Sequence, residues 1–278
     1  SEIQTNGVMP VKVAEWLGEE ITNIWISWDG TPEAHDRYRK LRSGKPSSPV
    51  IERNARIMIE RKNSNRGFVG ARATISNANL HLQKEMIDYF AQFGIKYIYS
   101  DPVFAPLSDT VSTEPDFSVD LMEYARTYVE AYYYAKQKGI FYGSFYMINF
   151  DKPCSTHCRA GLPTPHLTYD GLVTTCDMVT SKRHAHFMDS LVYGKWNENT
   201  QSIEYDAAKM TQIRKRRPEN ILVCLQCEIA QYCGGYCMGE VLNETGTFYD
   251  VLPKRCVAIK YMAEKLPIGR IEIPVLHP

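Results

Sequence analysis

CLQCEIAQYCGGYC, residues 224–237, places four cysteines in one short stretch of a 278-residue chain that contains only eight. The chain is long enough, and at 44% hydrophobic residues apolar enough, to form a core without disulfide staples. In a reduced compartment, clustered thiols more often bind metal than form disulfides. This run therefore predicts that the second half of the chain folds around metal.

The other four cysteines lie in the same half of the chain, and no cysteine precedes residue 154: Cys154, Cys158, Cys176 and Cys256. A CxxC pair such as Cys224 and Cys227 curls one loop around a single metal site. Gly234 and Gly235 allow a sharp turn, so that the thiols on either side can serve different sites. Eight thiolates make two full sets of four. The spacing alone leaves two interpretations open, namely two Fe4S4 clusters or two four-cysteine zinc sites.

Charge and hydropathy exclude several other classes of protein. The formal net charge is 0 and the sequence pI is about 7.0, which gives no electrostatic case for nucleic acid or an anionic membrane as a partner. No apolar run approaches the roughly 18 residues of a membrane span, and SEIQTNGVMP does not have the pattern of a signal peptide. We therefore expect a cytoplasmic protein.

The first half of the chain alternates between strand and helix patterns. Strands are predicted at 24–29, 67–76, 95–101 and 140–150, and helices at 48–62, 82–94 and 118–139. This repetition predicts an α/β fold with a parallel sheet, wound or closed into a barrel. Tyrosines four residues apart at 124, 128 and 132 predict the buried face of the last helix. Helical periodicity fades after about Lys152, and all eight cysteines follow it. We therefore expect two domains, 1–152 and 153–278.

The motifs resemble those of a known family. Cys158-x12-Gly171-x4-Cys176, then C-x2-C-x5-C-x3-C, then the distant Cys256, resembles the SPASM domain of radical S-adenosylmethionine (SAM) enzymes. These include anaerobic sulfatase-maturating enzymes and maturases of ribosomal peptides. TNG (5–7), ISWDG (26–30), His35-Asp36 and Arg39 resemble the middle of a radical SAM barrel. The resemblance implies a truncated partial (β/α) barrel of parallel strands followed by a small cysteine-rich iron–sulfur domain.

The resemblance also implies how the cysteines are shared between two auxiliary Fe4S4 clusters. The first cluster would take Cys154, Cys158, Cys176 and Cys237. The second would take Cys224, Cys227, Cys233 and Cys256.

One family motif is absent from this sequence. Radical SAM enzymes bind their catalytic cluster through a CxxxCxxC loop after the first barrel strand, and this chain has no cysteine before Cys154. We expect the first strands and that loop to be truncated, supplied by a partner or lost. SAM and a third Fe4S4 cluster would then belong only to the complete enzyme, and the chain alone would be inactive.

Three further residues are candidates for SAM binding or catalysis. Ser27 ends a predicted strand, where parallel sheets bind ligands, and resembles the family's SAM-contacting serine. Arg53 falls where related enzymes place an arginine on the SAM carboxylate, although a solvated helix charge explains it equally well. Asp177 follows Cys176, as in sulfatase-maturating enzymes, in which the equivalent aspartate accepts a substrate proton. The alternative is a carboxylate that organises the cluster loop.

The function that the resemblance implies is post-translational modification of a peptide or protein. In the complete enzyme, a SAM-derived radical would abstract a substrate hydrogen, and the auxiliary clusters would take up the remaining electron or hold the substrate. A flavodoxin or ferredoxin would supply reductant. Thioether formation, carbon–carbon crosslinking and formylglycine formation all stay open. Two alternatives are a non-catalytic, cluster-bearing peptide-binding scaffold and a zinc-structured interaction protein.

Overall fold

The structure, a computed structural model, describes residues 1–63, 66–104 and 118–274. These residues form two compact units. The sheet unit is built on Ser1–Val103 and 118–148, and the cysteine unit on Asn149–Ile271. The predicted boundary between two domains at residue 152 stays a prediction.

The sheet unit has five strands, all parallel to their neighbours and ordered as in the chain. This confirms the predicted α/β fold with a parallel sheet. The strands are β1 (Glu2–Thr5), β2 (Asn23–Ser27), β3 (Phe68–Ile75), β4 (Tyr97–Pro102) and β5 (Phe141–Gly143). The helices are α1 (Val11–Glu20), α2 (Pro32–Tyr38), α3 (Ser48–Arg61), α4 (Gln83–Ala91) and α5 (Leu121–Gln137).

One predicted strand is much shorter than its pattern. Residues 140–150 predict a strand throughout, but β5 covers only three of them and a 3-10 turn follows at Phe145–Met147. The Asp101 carboxylate accepts a hydrogen bond from the Phe145 amide at 2.5 Å, and the Ser144 hydroxyl accepts one from the Tyr146 amide. These side chains bind the amides that a continuing strand would pair.

Helix α5 confirms the prediction about its tyrosines. Tyr124, Tyr128 and Tyr132 are all buried. The Tyr124 hydroxyl donates to the Ser100 carbonyl at 2.6 Å, and the Tyr128 hydroxyl to the Tyr142 carbonyl at 2.8 Å. The rings therefore fill the core while their hydroxyl groups satisfy backbone acceptors, as buried tyrosines usually do.

One face of the sheet is aromatic near the amino ends of the strands and polar near their carboxyl ends. Side chains alternate between faces along a strand, so Trp25 and Ser27 share a face. The Trp25 ring packs edge-on against Phe68 and Tyr99. Gly70 lies under this ring, where an added Cβ would come within 2.6 Å of it. Glycine at this position is what lets the indole lie against the sheet.

The cysteine unit contains a four-stranded antiparallel sheet in chain order. Its strands are β6 (His166–Leu167), β7 (Leu172–Thr174), β8 (Val192–Asn197) and β9 (Ser202–Tyr205). Its helices are α6 (Lys182–Met188), α7 (Ala207–Lys215), α8 (Ala230–Cys233), α9 (Met238–Thr245) and α10 (Pro253–Lys265). A core that includes Val173, Leu191 and Met238 joins the sheet to these helices.

None of the helices in the described part of the chain has both the length and the apolar composition needed to cross a membrane.

Candidate functional site

All eight cysteines are free thiols, and each is at least partly buried. Three of them flank short elements, where the backbone turns, and Cys256 lies in the first turn of the longer helix α10. Cys158 precedes the 3-10 turn Arg159–Gly161, Cys176 follows β7, and Cys237 precedes α9. Because these elements are short, thiols from distant parts of the sequence can lie near one another.

Three thiols form a first neighbourhood: Cys158, Cys176 and Cys237. Burial raises the pKa of Cys176 to about 12, and the charge of Cys158 adds to this increase. Burial also raises the pKa of Cys237 well above its ordinary value, and the charges of Cys176 and Cys158 act in the same direction. The three thiols are therefore mutual neighbours.

The other neighbourhood holds the remaining members of the dense run together with the distant cysteine: Cys224, Cys227, Cys233 and Cys256. Burial raises the pKa of Cys233 to about 12, and Cys256 and Cys224 add to the shift. Burial raises the pKa of Cys256 to about 11, with further increases from Cys224 and Cys227. These are the four cysteines of the second predicted ligand set.

Cys154 stands apart from the first neighbourhood. Its thiol lines an open cavity of about 460 Å³ together with Cys224 and Pro218. Its amide donates to the Gln231 carbonyl at 2.6 Å. Burial raises the pKa of Cys154 to about 11, and the nearby charge is that of Asp151 rather than of another thiol. Its assignment to the first ligand set stays a prediction.

Backbone amides donate hydrogen bonds to several of these sulfurs. The Glu240 amide lies 3.5 Å from the Cys237 Sγ at the start of α9. The amides of Ala160 and Met178 bond to Cys158 and Cys176 in the same way. Such bonds favour the thiolate over the thiol, and hydrogen bonds to sulfur help to set the potential of iron–sulfur sites. The donor set therefore suits a thiolate-bound metal.

Within the described residues, no three His, Cys, Asp or Glu side chains converge closely enough to hold a single metal ion. The thiols of each neighbourhood are close enough for their charges to interact.

A buried arginine lies close enough to cysteines of both neighbourhoods for their charges to act on it. Arg216 follows α7, is only 2% exposed, and donates to the carbonyls of Gly234 and Gly235 at 3.2 and 2.5 Å. Burial lowers the pKa of its guanidinium, while the charges of four cysteines act to raise it. Those four are Cys237, Cys233, Cys224 and Cys158. Arg216 lies in a run of basic residues, RKRR, that is typical of a solvated surface, so its burial could not be predicted from the sequence.

Asp177 lies at the surface with two partners. Its side chain is 64% exposed, and its Oδ1 is 2.6 Å from the Nδ1 of His166. Its Oδ2 is 3.4 Å from the Nη2 of Arg159. Neither partner was expected from the sequence, although Arg159 directly follows Cys158. The carboxylate is thus held by two side chains, and Asp177 directly follows Cys176 in the chain.

In the sheet unit, Ser27 belongs to a row of polar side chains near the carboxyl ends of the strands. Its Oγ accepts from Gln4 Nε2 at 3.3 Å, and Gln4 Oε1 accepts from Arg72 at 2.7 Å. Arg72 in turn lies 3.3 Å from the carboxylate of Asp101. Parallel sheets bind ligands beyond this edge. The row offers a cation, a carboxylate and neutral polar groups to a ligand there.

Arg53 lies on the exposed side of α3, next to the loop that follows β1. Its Nε donates to Asn54 Oδ1 at 3.2 Å. The buried Asn54 amide donates to the carbonyls of Gly7 and Met9 at 2.8 and 2.9 Å. Asn54 therefore fixes the TNG loop, and Arg53 is held beside that loop.

The remaining family-like residues bind one another at the end of β2. Asp29 Oδ2 lies 2.6 Å from Arg39 Nε, and Asp29 Oδ1 accepts from the Thr74 amide at 2.8 Å. His35 is fully buried, with Nδ1 accepting from the Asp29 amide at 3.2 Å. These contacts give the DG turn and the HD-x2-R segment a structural role.

Several solved structures share this fold. Native anSMEcpe with bound AdoMet matches with a TM-score of 0.72 at 17% identity, over 95% of this chain and 72% of that one. Native anSMEcpe with bound AdoMet and Kp18Cys peptide has a TM-score of 0.69, also at 17% identity, over 95% of this chain and 72% of that one. SuiB of Streptococcus suis bound to precursor peptide SuiA has a TM-score of 0.57 at 15% identity, over 92% of this chain and 58% of that one.

At such low identities, the structural likeness shows a common fold alone. No protein-family model matches the chain, and neither does any curated protein.

Proposed function

We propose that this chain belongs to a radical SAM enzyme of the SPASM type that modifies a peptide or protein. The observation that carries the proposal is the gathering of seven thiols into two neighbourhoods, which match the two ligand sets that the resemblance implies. A four-iron cluster would take one thiolate at each iron, so the thiols that hold it need not converge on a single point. Cys154 would complete the first set.

The similar structures support the proposed substrates. anSMEcpe has been solved with bound AdoMet, and both anSMEcpe and SuiB with bound peptides. In this chain, the carboxyl edge of the parallel sheet is the place for SAM. Ser27, held by Gln4, and Arg53, beside the TNG loop, would contact its amino-acid part.

The chemistry divides between the bound groups and the chain. In the complete enzyme, SAM and a third Fe4S4 cluster would supply the radical chemistry, with electrons from a flavodoxin or ferredoxin. The two cysteine sets of this chain would hold auxiliary clusters, which would supply a place for the electron left on the substrate or a binding site for the substrate. Asp177 would accept the proton that crosslinking or oxidation releases, with His166 and Arg159 fixing the direction of its carboxylate.

The ligand sets can be tested by removing one thiol from each neighbourhood. In anaerobically reconstituted protein, Cys237→Ala should lose about four of the roughly eight irons and keep the other cluster, and Cys256→Ala should do the converse. The double variant should lose both clusters. If either single substitution leaves iron unchanged, or if the two variants lose the same cluster by Mössbauer and EPR spectroscopy, the proposed sets are wrong.

A further inference from the structure

Arg216 is a buried cation whose charge is not met by a carboxylate. Its three hydrogen bonds all go to neutral backbone carbonyls, those of Gly234, Gly235 and Phe248. Within the part of the chain that the structure describes, no Asp or Glu forms an ion pair with it. Arg255, the other deeply buried arginine of this unit, instead pairs with Glu240.

A buried charge of this kind is costly unless an opposite charge compensates for it. The largest opposing charges that would act on Arg216 are those of four cysteines in the thiolate form that metal binding requires. Two of them, Cys158 and Cys237, come from the first neighbourhood, and Cys224 and Cys233 come from the second. The guanidinium is therefore placed to compensate both groups of thiolates.

The hydrogen bonds of Arg216 fix this position. Gly234 and Gly235 form the link between Cys233 of the second neighbourhood and Cys237 of the first. Both glycines have positive φ angles, and a Cβ at Gly235 would come within 2.4 Å of the Arg216 Nη1. Arg216 also lines one small cavity with Cys158 and Gly234. The guanidinium thus lies against the turn that separates the two ligand sets.

We propose that Arg216 is a shared counter-cation of the two auxiliary clusters, and that it raises the reduction potentials of both together. This inference rests on the proposed function, since it requires clusters in both neighbourhoods. A cluster with four thiolate ligands is an anion, and one-electron reduction adds a further negative charge. A fixed nearby cation favours the reduced form, because the net charge and the hydrogen bonds around a cluster set its potential.

The test compares three variants of the reconstituted chain. Arg216→Met removes the charge, Arg216→Lys keeps it while losing the fork of donors, and Arg217→Met is the matched control. Arg217 is the adjacent arginine, only partly buried, and its Nη1 donates to the Gly161 and Arg216 carbonyls. Iron and sulfide are measured first. Each cluster is then titrated with dithionite and followed by EPR.

We expect Arg216→Lys and Arg217→Met to keep both clusters and both potentials. Arg216→Met should lower both potentials, with reduction at least about tenfold less favourable, which is about 59 mV for one electron. If Arg216→Met cannot hold its clusters while Arg216→Lys can, the requirement for charge is equally supported.

Three results would overturn the inference. These are unchanged potentials in a fully loaded Arg216→Met protein, a shift in only one cluster, or equal damage in the Lys and Met variants. Equal damage would mean that the carbonyl contacts, and not the charge, are what matter. Failure of the proposed function is distinct from all three, because the unsubstituted chain would then carry no iron.

Discussion

Glu240 and Arg255 form a buried ion pair whose disruption should destabilise the cysteine unit. Their side chains are 1% and 8% exposed, and the Glu240 carboxylate also accepts a hydrogen bond from the Tyr236 hydroxyl. The pair joins two cysteine-bearing segments, since the Glu240 amide donates to Cys237 and Arg255 precedes Cys256. Glu240→Ala removes the Glu240 carboxylate from the buried Arg255 guanidinium.

The expected loss in the free energy of unfolding follows from the burial of this pair. Removing one member of a buried pair costs about 3–5 kcal/mol in the free energy of unfolding. An exposed pair contributes less than about 1 kcal/mol, so Lys195→Ala, which breaks the exposed pair with Glu204, serves as the control. Replacing both partners by apolar residues, as in Glu240→Leu with Arg255→Met, should recover most of the loss because no buried charge remains.

Guanidinium unfolding of the anaerobically reconstituted protein, followed by circular dichroism, measures these differences. A loss below about 1 kcal/mol for Glu240→Ala would refute the reasoning. The Glu240→Leu and Arg255→Met variants are also measured singly. A double variant whose loss equals the sum of these two single losses would refute the reasoning as well, because a coupled pair must deviate from additivity.

Two further predictions concern pH and catalysis. Burial lowers the pKa of His35 below its ordinary value of 6.5 in the folded state. As the pH falls, the unfolded state therefore binds a proton at this histidine before the folded state does. The stability of the sheet unit should then decrease as the pH drops below about 6.5. His35→Gln should remove that slope in unfolding experiments, and an unchanged slope would assign it to other groups. In an enzyme that includes a SAM-cluster segment, Asp177→Asn should keep both auxiliary clusters and SAM cleavage while product formation falls by ~10²–10⁴-fold. A loss of iron would instead make Asp177 structural.

The sequence predicted the strand and helix alternation because buried strands and amphipathic helices each have their own period. It missed α1, where Val11, Val13 and Trp16 are exposed and the buried residues are Ala14, Leu17 and Gly18. An apolar face directed outward cannot be told from a buried one by pattern. Strand β5 was overestimated for a different reason, since its apolar residues continue into a buried turn.

The gathering of the thiols was expected from the spacing of the cysteines in the sequence, and the metal that they would bind stays a prediction. The charges around them could not be predicted. Arg216 lies in a basic run, and only the folded chain shows that its guanidinium faces inward while Arg214 and Lys215 are exposed. The contact between His166 and Asp177 joins residues eleven positions apart through the antiparallel sheet, whose short strands have no clear periodicity.

Metal content tests the central claim most directly. After anaerobic reconstitution with iron and sulfide, the chain should contain about eight irons and eight sulfides and show the brown colour of thiolate-to-iron charge transfer. About two zinc ions per chain, bound in place of iron after iron-rich anaerobic expression, would contradict the assignment of the two cysteine neighbourhoods to Fe4S4 clusters.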